Sequence, residues 1–412
     1  MFFRFFLHYF LFLIVFIGCN NDKAPIKTIS MIQGSKKFYG RPVRNSSEKI
    51  NSVVYNNKTR SIFFSIEPTE ARQNSVFEIP FKPSNTLNLE YFSDNFKIQG
   101  HLTKRNRLIK SSVDGQYMAF GSWDGDLILE KNASPYFNIE YDGEITSLEF
   151  QDNLIAVGYK SGNISFYDLN HKKKHTWLKL FDGEITSIES FKNSQFFVSG
   201  VNEYIFLVDG YTGNILNKIN TRTFKEKLLI ASGLHPCIID KINKIIYIPE
   251  KEQLITTHGW TYCAKPQIKI WDVKSWKKTF QIDNLDSQVY QMIWAPKSQK
   301  VIFADENIFL WTLNLDTFHV GNKSPLSKSI NFFSKVNHKK KLLIPKYPIG
   351  AVNSLDMIPN TDIIIVGLGS YFLGGSGLLI TQVNKSDFEH LVFFIKNNGS
   401  IYSFTPEINF SS

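Results

Sequence analysis

The hexapeptide Asp142-Gly143-Glu144-Ile145-Thr146-Ser147 returns forty positions later as Asp182-Gly183-Glu184-Ile185-Thr186-Ser187. Downstream, with one residue inserted, Val157-Gly158 answers Val198-Ser199, and Phe166-Tyr167-Asp168 answers Leu207-Val208-Asp209. Six identical residues followed by apolar runs in the same phase mark a structural repeat, and a period of about forty is that of a four-stranded propeller blade. No such unit buries both faces alone, so several must stack and close into a ring. The repeat constrains the architecture tightly and leaves the partner open.

Each unit reads as four short strands. Ile145-x-x-Leu148-x-Phe150 alternates, whereas Leu154 to Val157 is apolar throughout, as in a strand covered on both faces. The turn Lys160-Ser161-Gly162-Asn163 leads to Ile164-Ser165-Phe166-Tyr167-Asp168, and a polar outer strand, Trp177 to Leu180, closes the unit. The same order returns at Ile268-Lys269-Ile270-Trp271-Asp272-Val273, which has the form of the third strand of a WD40 repeat. The chain resembles the WD40 family over most of residues 50 to 400.

Alignment on that Trp-Asp pair puts equivalent positions at Pro80, Lys131, Asp168, Asp209, Asp272, Thr312 and Gln382. The expectation is an all-β fold, a seven-bladed WD40-like β-propeller with four-stranded antiparallel blades. The wider intervals imply insertions near 221–240 and 322–348. Only Trp271-Asp272 keeps the full pair, Leu310-Trp311-Thr312 keeps half, and Gly100-His101 is the one Gly-His dipeptide. The 36 phenylalanines suit interdigitated interfaces between blades. The ring is expected to close through a blade stitched from both ends. Ile26 to Ile32, Leu391 to Ile395 and Ile401 to Phe404 compete to supply the outer strand.

The N-terminus reads as a signal segment. Arg4 is its only charge, and the run from Phe5 to Ile17 is apolar apart from His8-Tyr9. It is too short for a spanning helix, which needs about 20 residues. Phe16-Ile17-Gly18-Cys19 resembles the lipobox of bacterial lipoproteins, with Phe16 departing from the usual Leu. That resemblance implies cleavage before Cys19 and acylation of Cys19, a covalent palmitate-type lipid in place of any cofactor. Two or three acyl chains at ~0.8 kcal/mol per buried CH₂ would make attachment permanent. The division is then 1–18 signal peptide, 19–25 lipidated tether and 26–412 propeller. Asn20 lacks the acid that signals inner-membrane retention, which favours the outer membrane of the cell envelope.

Beyond Cys19 only Cys237 and Cys263 remain, and in an oxidising compartment they form a candidate disulfide. Two separate buried thiols, or a zinc set with His235 and His258, are the competing readings. The net charge of +10 becomes +9 once Arg4 is removed with the signal. Bases cluster at Lys172-Lys173-Lys174, from Arg105 to Lys110, and at Lys339-Lys340-Lys341. They read as solvated loop ends, or as a basic rim meeting anionic phospholipid, lipopolysaccharide or an acidic partner. Nucleic acid is not expected as a partner.

Catalytic patterns are missing. Gly367 to Gly377 has P-loop glycine spacing at Gly369 and Gly374, but Gly375 stands where the phosphate-binding Lys belongs. It reads as a hairpin. Asp124, Asp168, Asp209 and Asp272 recur at blade positions and read as turn caps. The function expected is a non-catalytic, membrane-anchored platform for an unidentified envelope protein, with no metal and no enzyme activity. Candidate contact residues are Trp260, Tyr262, Phe332, Phe333, Lys339, Lys340, Lys341 and Tyr347, aromatic and basic groups in predicted loops. The alternatives are a propeller enzyme with a metal or quinone site in the channel, and an outer-membrane assembly scaffold. Channel polarity separates them: converging carboxylates or His favour an enzyme, small apolar residues a scaffold.

Overall fold

The structure is a computed structural model, and it describes residues 27–30, 50–66, 76–81, 99–101, 106–139, 143–222, 241–259, 266–283, 285–305, 309–321, 324–325, 352–372, 375–383, 388–396 and 401–404. A short strand, β1 (Lys27–Ser30), comes first. Sheet 1 holds β2 (Ile50–Asn56), β3 (Ser61–Ile66), β4 (Val76–Pro80) and β5 (Gln99–His101). Sheet 2 holds β6 (Asn106–Ser111), β7 (Tyr117–Ser122), β8 (Leu127–Lys131) and β9 (Ser134–Ile139). Sheet 3 is β10 (Ile145–Gln151), β11 (Leu154–Tyr159), β12 (Asn163–Asp168) and β13 (Lys173–Lys179). Sheet 4 is β14 (Ile185–Ser190), β15 (Gln195–Gly200), β16 (Tyr204–Asp209) and β17 (Ile215–Asn220).

Sheet 5 is β18 (Ile242–Ile248), β19 (Gln253–His258), β20 (Gln267–Asp272) and β21 (Lys277–Asp283). Sheet 6 is β22 (Val289–Ala295), β23 (Lys300–Asp305) and β24 (Phe309–Asn314), with its outer strand in two pieces, β25 (His319–Val320) and β26 (Ser324–Pro325). Sheet 7 departs from this pattern. It has five consecutive strands, β27 (Val352–Met357), β28 (Ile363–Phe372), β29 (Gly375–Val383), β30 (Phe388–Lys396) and β31 (Ile401–Phe404). Among the described residues, six sheets are built on four antiparallel strands, sheet 5 carrying one further strand at its edge, and sheet 7 departs from the pattern, so the expected seven-bladed propeller of four-stranded blades is corrected to six such blades.

The first strands of the sheets, β2, β6, β10, β14, β18, β22 and β27, touch in turn, and β27 returns to β2. They form the inner wall of a ring. Every one of them carries a bulge at its second residue, at Asn51, Arg107, Thr146, Thr186, Asn243, Tyr290 and Asn353. A bulge bends the strand and re-aims one side chain; here the bulged Arg107, Thr186, Asn243 and Asn353 each reach the neighbouring sheet.

Packing between sheets supplies the cores. One cluster joins sheets 3 and 4 through Leu154, Ile164, Phe166, Phe196, Val198 and Phe206. Another joins sheets 5 and 6 through Ile255, Phe280, Phe303 and Trp311. Leu154, Ile155, Ala156 and Val157 are all 0% exposed, as expected of a middle strand covered on both faces. Phe196-Phe197-Val198 and Ile363 to Val366 are buried likewise.

Among the described residues, no sheet is stitched from both ends of the chain. Sheet 1 comes from residues 50–101 and sheet 7 from residues 352–404, with β30 and β31 taking up Leu391–Ile395 and Ile401–Phe404. β1, from the expected Ile26–Ile32 segment, instead adds a parallel fifth strand to the outer edge of β21. The seam between sheets 7 and 1 is closed by side chains. Ser354 Oγ accepts from Val53 N at 3.0 Å, Asp356 Oδ2 from Tyr55 N at 2.6 Å, and Asn353 Nδ2 donates to Ile50 O at 3.0 Å. Ile50, Val53, Phe64, Ile363 and Ile365 share one core across it.

Two strand assignments shift. The outer strand of sheet 3 runs Lys173–Lys179, earlier than Trp177 to Leu180. In sheet 6 the position equivalent to Asp272 is Asn314, not Thr312, because Lys300 pairs with Asn314 as Gln253 pairs with Asp272.

Candidate functional site

The Asp positions do what short acceptors do after a strand. Asp168 Oδ1 accepts from Asn170 N and His171 N at 2.8 and 3.0 Å, and Asp209 Oδ1 from Tyr211 N and Thr212 N at 3.0 and 2.7 Å. Asp272 Oδ1 accepts from Ser275 N, and Asn314 Oδ1 plays the same part for Asp316 N and Thr317 N. Burial would raise the Asp168 carboxyl, but its bonds to His171 and Asn170 outweigh that and hold it low. The Ser275 bonds lower Asp272. These groups are turn caps. Gly369 lies in β28, which pairs with β29 as a hairpin, so two strands meet there and no helix begins; Gly374 lies outside the described residues.

The repeat's own residues stitch sheets together. Glu144 receives Arg107 Nη1 from sheet 2 and Lys160 Nζ from sheet 3, both at 2.6 Å, and Arg107 also lies 4.2 Å over Trp123. Glu184 receives Lys241 Nζ at 2.6 Å. One residue past the bulge, a serine accepts the amide of the next inner strand. Ser147 takes Ile188 N at 3.0 Å, Ser187 takes Ile245 N at 3.3 Å, and Ser52 takes Ile109 N at 3.1 Å. Asn243 Nδ2 donates to Val289 O at 3.2 Å, and Gln291 Nε2 to Asn353 O at 2.7 Å. With the sheet 7 to sheet 1 seam and the sheet 2 to sheet 3 ion pairs, every junction of the ring is tied.

Inside that ring lies a charged cluster. Lys110 of β6, Glu149 of β10, Glu189 of β14, Lys244 of β18 and Asp356 of β27 act on one another electrostatically. Lys110 Nζ pairs with Glu149 Oε2 at 2.6 Å. Glu189 Oε1 accepts from Tyr247 N at 3.4 Å, repeating between sheets 4 and 5 what Asp356 does for Tyr55 between sheets 7 and 1. Burial, reinforced by the Glu149 charge, pushes Glu189 up to about 7, and burial pushes Asp356 up to about 6. Lys244 is depressed by burial and by Lys110 beside it. Burial also opposes the Lys110 charge, but Glu149 and Glu189 more than offset it, so its ammonium is held above the ordinary lysine value.

This lining matches neither extreme of the channel criterion. Three carboxylates converge, which a purely apolar scaffold channel would not have. Two ammonium groups are interleaved with them, and among the described residues no group of three or more His, Cys, Asp or Glu is placed to hold a metal. The arrangement can bind a polar ligand or clasp the ring; its bonds to Tyr55 and Tyr247 amides are of the second kind.

The cluster sets a pH dependence. Glu189 and Asp356 bind protons more tightly folded, at about 7 and about 6, than at their ordinary 4.5 and 3.8. Their contribution is present below pH about 4 and lost as pH rises to about 7, on the order of 3 kcal/mol for the larger shift. Glu189→Gln is expected to flatten that decline. Urea unfolding at several pH values checks this, since equal slopes in parent and variant would contradict it.

The candidate contact residues Trp260, Tyr262, Phe332, Phe333, Lys339, Lys340, Lys341 and Tyr347 lie outside the described residues. So do Cys19, Cys237, Cys263 and His235. His258 is described: it is 3% exposed, with Nε2 2.8 Å from Thr256 Oγ1. The channel charges and the inter-strand serines went unrecognised in the sequence. The serines had a readable signal, because Ile145-Thr146-Ser147 is echoed by Ile50-Asn51-Ser52 and Val352-Asn353-Ser354.

No protein family matches the sequence, and no curated protein does. Among solved structures, a chain from the crystal structure of a mitotic checkpoint complex superposes with a TM-score of 0.57 at 13% identity. The match spans 84% of this chain and 99% of that one. Identity that low shows the fold alone, a WD40-like β-propeller.

Proposed function

We propose that this chain is a lipid-anchored WD40-like propeller serving as a protein-interaction platform in the bacterial cell envelope. The observation that carries the reading is the fully tied ring: side chains of the inner wall are spent on neighbouring sheets at every junction. A frame so committed is suited to holding rim loops rigid, and recognition falls to those loops. Cys19 supplies the anchor, Asn20 points to the outer membrane, and the insertions near 221–240 and 322–348 supply the contact surface. The aromatic pair Phe332-Phe333 beside Lys339-Lys340-Lys341 suits an acidic or amphipathic partner, with an apolar anchor at the centre and charges guiding encounter.

The experiment is capture from detergent-solubilised envelopes. Shortening 322–348 is expected to abolish partner recovery with little change in melting temperature, and Cys19→Ser to release the protein from the membrane fraction. Equal recovery of the same partners by parent and shortened protein would overturn the loop as the binding surface. The three channel carboxylates favour a second reading, a polar ligand or cofactor site in the channel. Under the platform reading Glu189→Gln leaves capture intact; under the second it does not.

A further inference from the structure

The outer wall of sheets 3 and 4 differs from the rest of the described surface. Trp177, Tyr211, Ile215 and Leu216 are 51%, 41%, 50% and 48% exposed, and they are four of the five large hydrophobic side chains so exposed among the described residues. Trp177 lies on β13, Ile215 and Leu216 lie on β17, and Tyr211 lies in the turn before β17. The two outer strands are joined at this corner. The His175 and Tyr211 rings meet edge to face at 5.2 Å, and Thr176 closes against Gly213, where an added Cβ would lie 2.8 Å from its hydroxyl. Leu216 sits at the β16–β17 register shift, which turns an apolar side chain outward.

Bases predominate around these groups. Residues 168–181 and 209–220 carry five lysines and two histidines against two carboxylates, Asp168 and Asp209. Both carboxylates cap their turns, and Asp168 Oδ2 also meets His171 Nδ1 at 2.8 Å. Lys172 and Lys218 lie over the Tyr136 and Tyr204 rings at 4.1 and 3.7 Å.

We propose that this wall rests on an anionic phospholipid surface, with Trp177, Tyr211, Ile215 and Leu216 in the headgroup boundary and the lysines on the phosphates. Amphipathic rings and aliphatic side chains mixed with lysines are the chemistry of a membrane interface. The wall presents outward-facing strands, which suits a flat surface. The proposal rests on the lipid-anchor reading only for delivery, because a tether of a few residues would hold the propeller at the bilayer.

The test uses the full chain as Cys19→Ser, without lipid, titrated with vesicles whose acyl chains carry bromine to quench tryptophan. One set mixes phosphatidylglycerol with phosphatidylcholine; the other is phosphatidylcholine alone. Each lysine near an anionic surface multiplies affinity about fivefold. Reversing Lys173 and Lys174 to Glu is therefore expected to cost at least about thirtyfold in affinity for the anionic vesicles, at unchanged melting temperature. Trp177→Phe is expected to remove a quenched component of the emission.

Equal affinity of parent and charge-reversed chain, or quenching untouched by Trp177→Phe, would overturn the proposal. Binding of an acidic amphipathic peptide, with no response to anionic vesicles, would overturn it in favour of a protein partner. The anchor reading fails separately, if Cys19→Ser stays in the membrane fraction of cells while carrying the charge-reversed wall.

Discussion

Gly162→Ala is expected to destabilise the protein by on the order of 3–5 kcal/mol, a large share of the 5–15 kcal/mol that holds a typical fold. Gly162 sits in the β11–β12 turn at φ +84°, where an L side chain costs about 1–2 kcal/mol. Strain is the smaller part. A Cβ there would lie 2.1 Å from Phe181 O and 2.5 Å from Gly183 O, both backbone atoms that cannot swing aside. Gly162 O also accepts from Leu180 N and Phe181 N at 3.0 and 3.2 Å, so displacing the turn breaks the link leading into the next sheet. Gly143 separates the two effects: its φ is +109°, but a Cβ there meets nothing within 4 Å. Gly143→Ala should cost only about 1–2 kcal/mol. Urea midpoints for the pair check this; equal losses would mean that crowding contributes nothing.

Phe196→Ala is expected to cost about 3–5 kcal/mol. Phe196 is 0% exposed between sheets 3 and 4, with its ring centroid 5.3 Å from that of Phe166. Removing it empties an interface that two sheets share, and neither can move inward without breaking the ties of its inner strand. Phe196→Leu, which keeps most of the volume, should lose less than about 1.5 kcal/mol. A loss below about 1 kcal/mol for the alanine variant would mean that the sheets collapse onto the gap and are less rigidly held than described.

The sequence made some of this legible and hid the rest for identifiable reasons. Sheets 3 and 4 were readable because they share a hexapeptide, and the turn caps because Asp168, Asp209 and Asp272 recur in phase. In sheet 6 the tryptophan misleads by two residues, because Trp311 reads as the counterpart of Trp271 while Asn314 holds the Asp272 position. Its capping residue is Asn314, which carries the same acceptor oxygen without the charge and follows Leu313, not a tryptophan. Closure is not legible as a strand pattern, because single side chains do the work: Ser354, Asp356 and Asn353 bond across the seam without exchanging any strand. The channel charges could not be read, since Lys110, Glu149, Glu189, Lys244 and Asp356 come from five different repeats and only closing the ring brings them together.

The lengthened seventh sheet had a partial signal. Its glycine-rich stretch from Gly367 to Gly377 separates two apolar runs, which become the long β28 and β29. At the seam Gly367 lets β28 approach β2, with a Cβ position 2.7 Å from Ile50 Cγ2. The same contact occurs between Gly158 and Ile185 at the junction of sheets 3 and 4. The first and last sheets therefore meet as neighbouring repeats do.

The proposed platform depends on that seam being as firm as any other junction, and hydrogen exchange at the Val53 and Tyr55 amides tests it most directly. Both are bonded across the seam, to Ser354 Oγ and Asp356 Oδ2. They are expected to exchange as slowly as the Ile188 and Ile245 amides, which make the equivalent bonds within the repeat region. Rapid exchange at Val53 and Tyr55, with Ile188 and Ile245 still protected, would mean that the ring opens between its ends and would contradict the account.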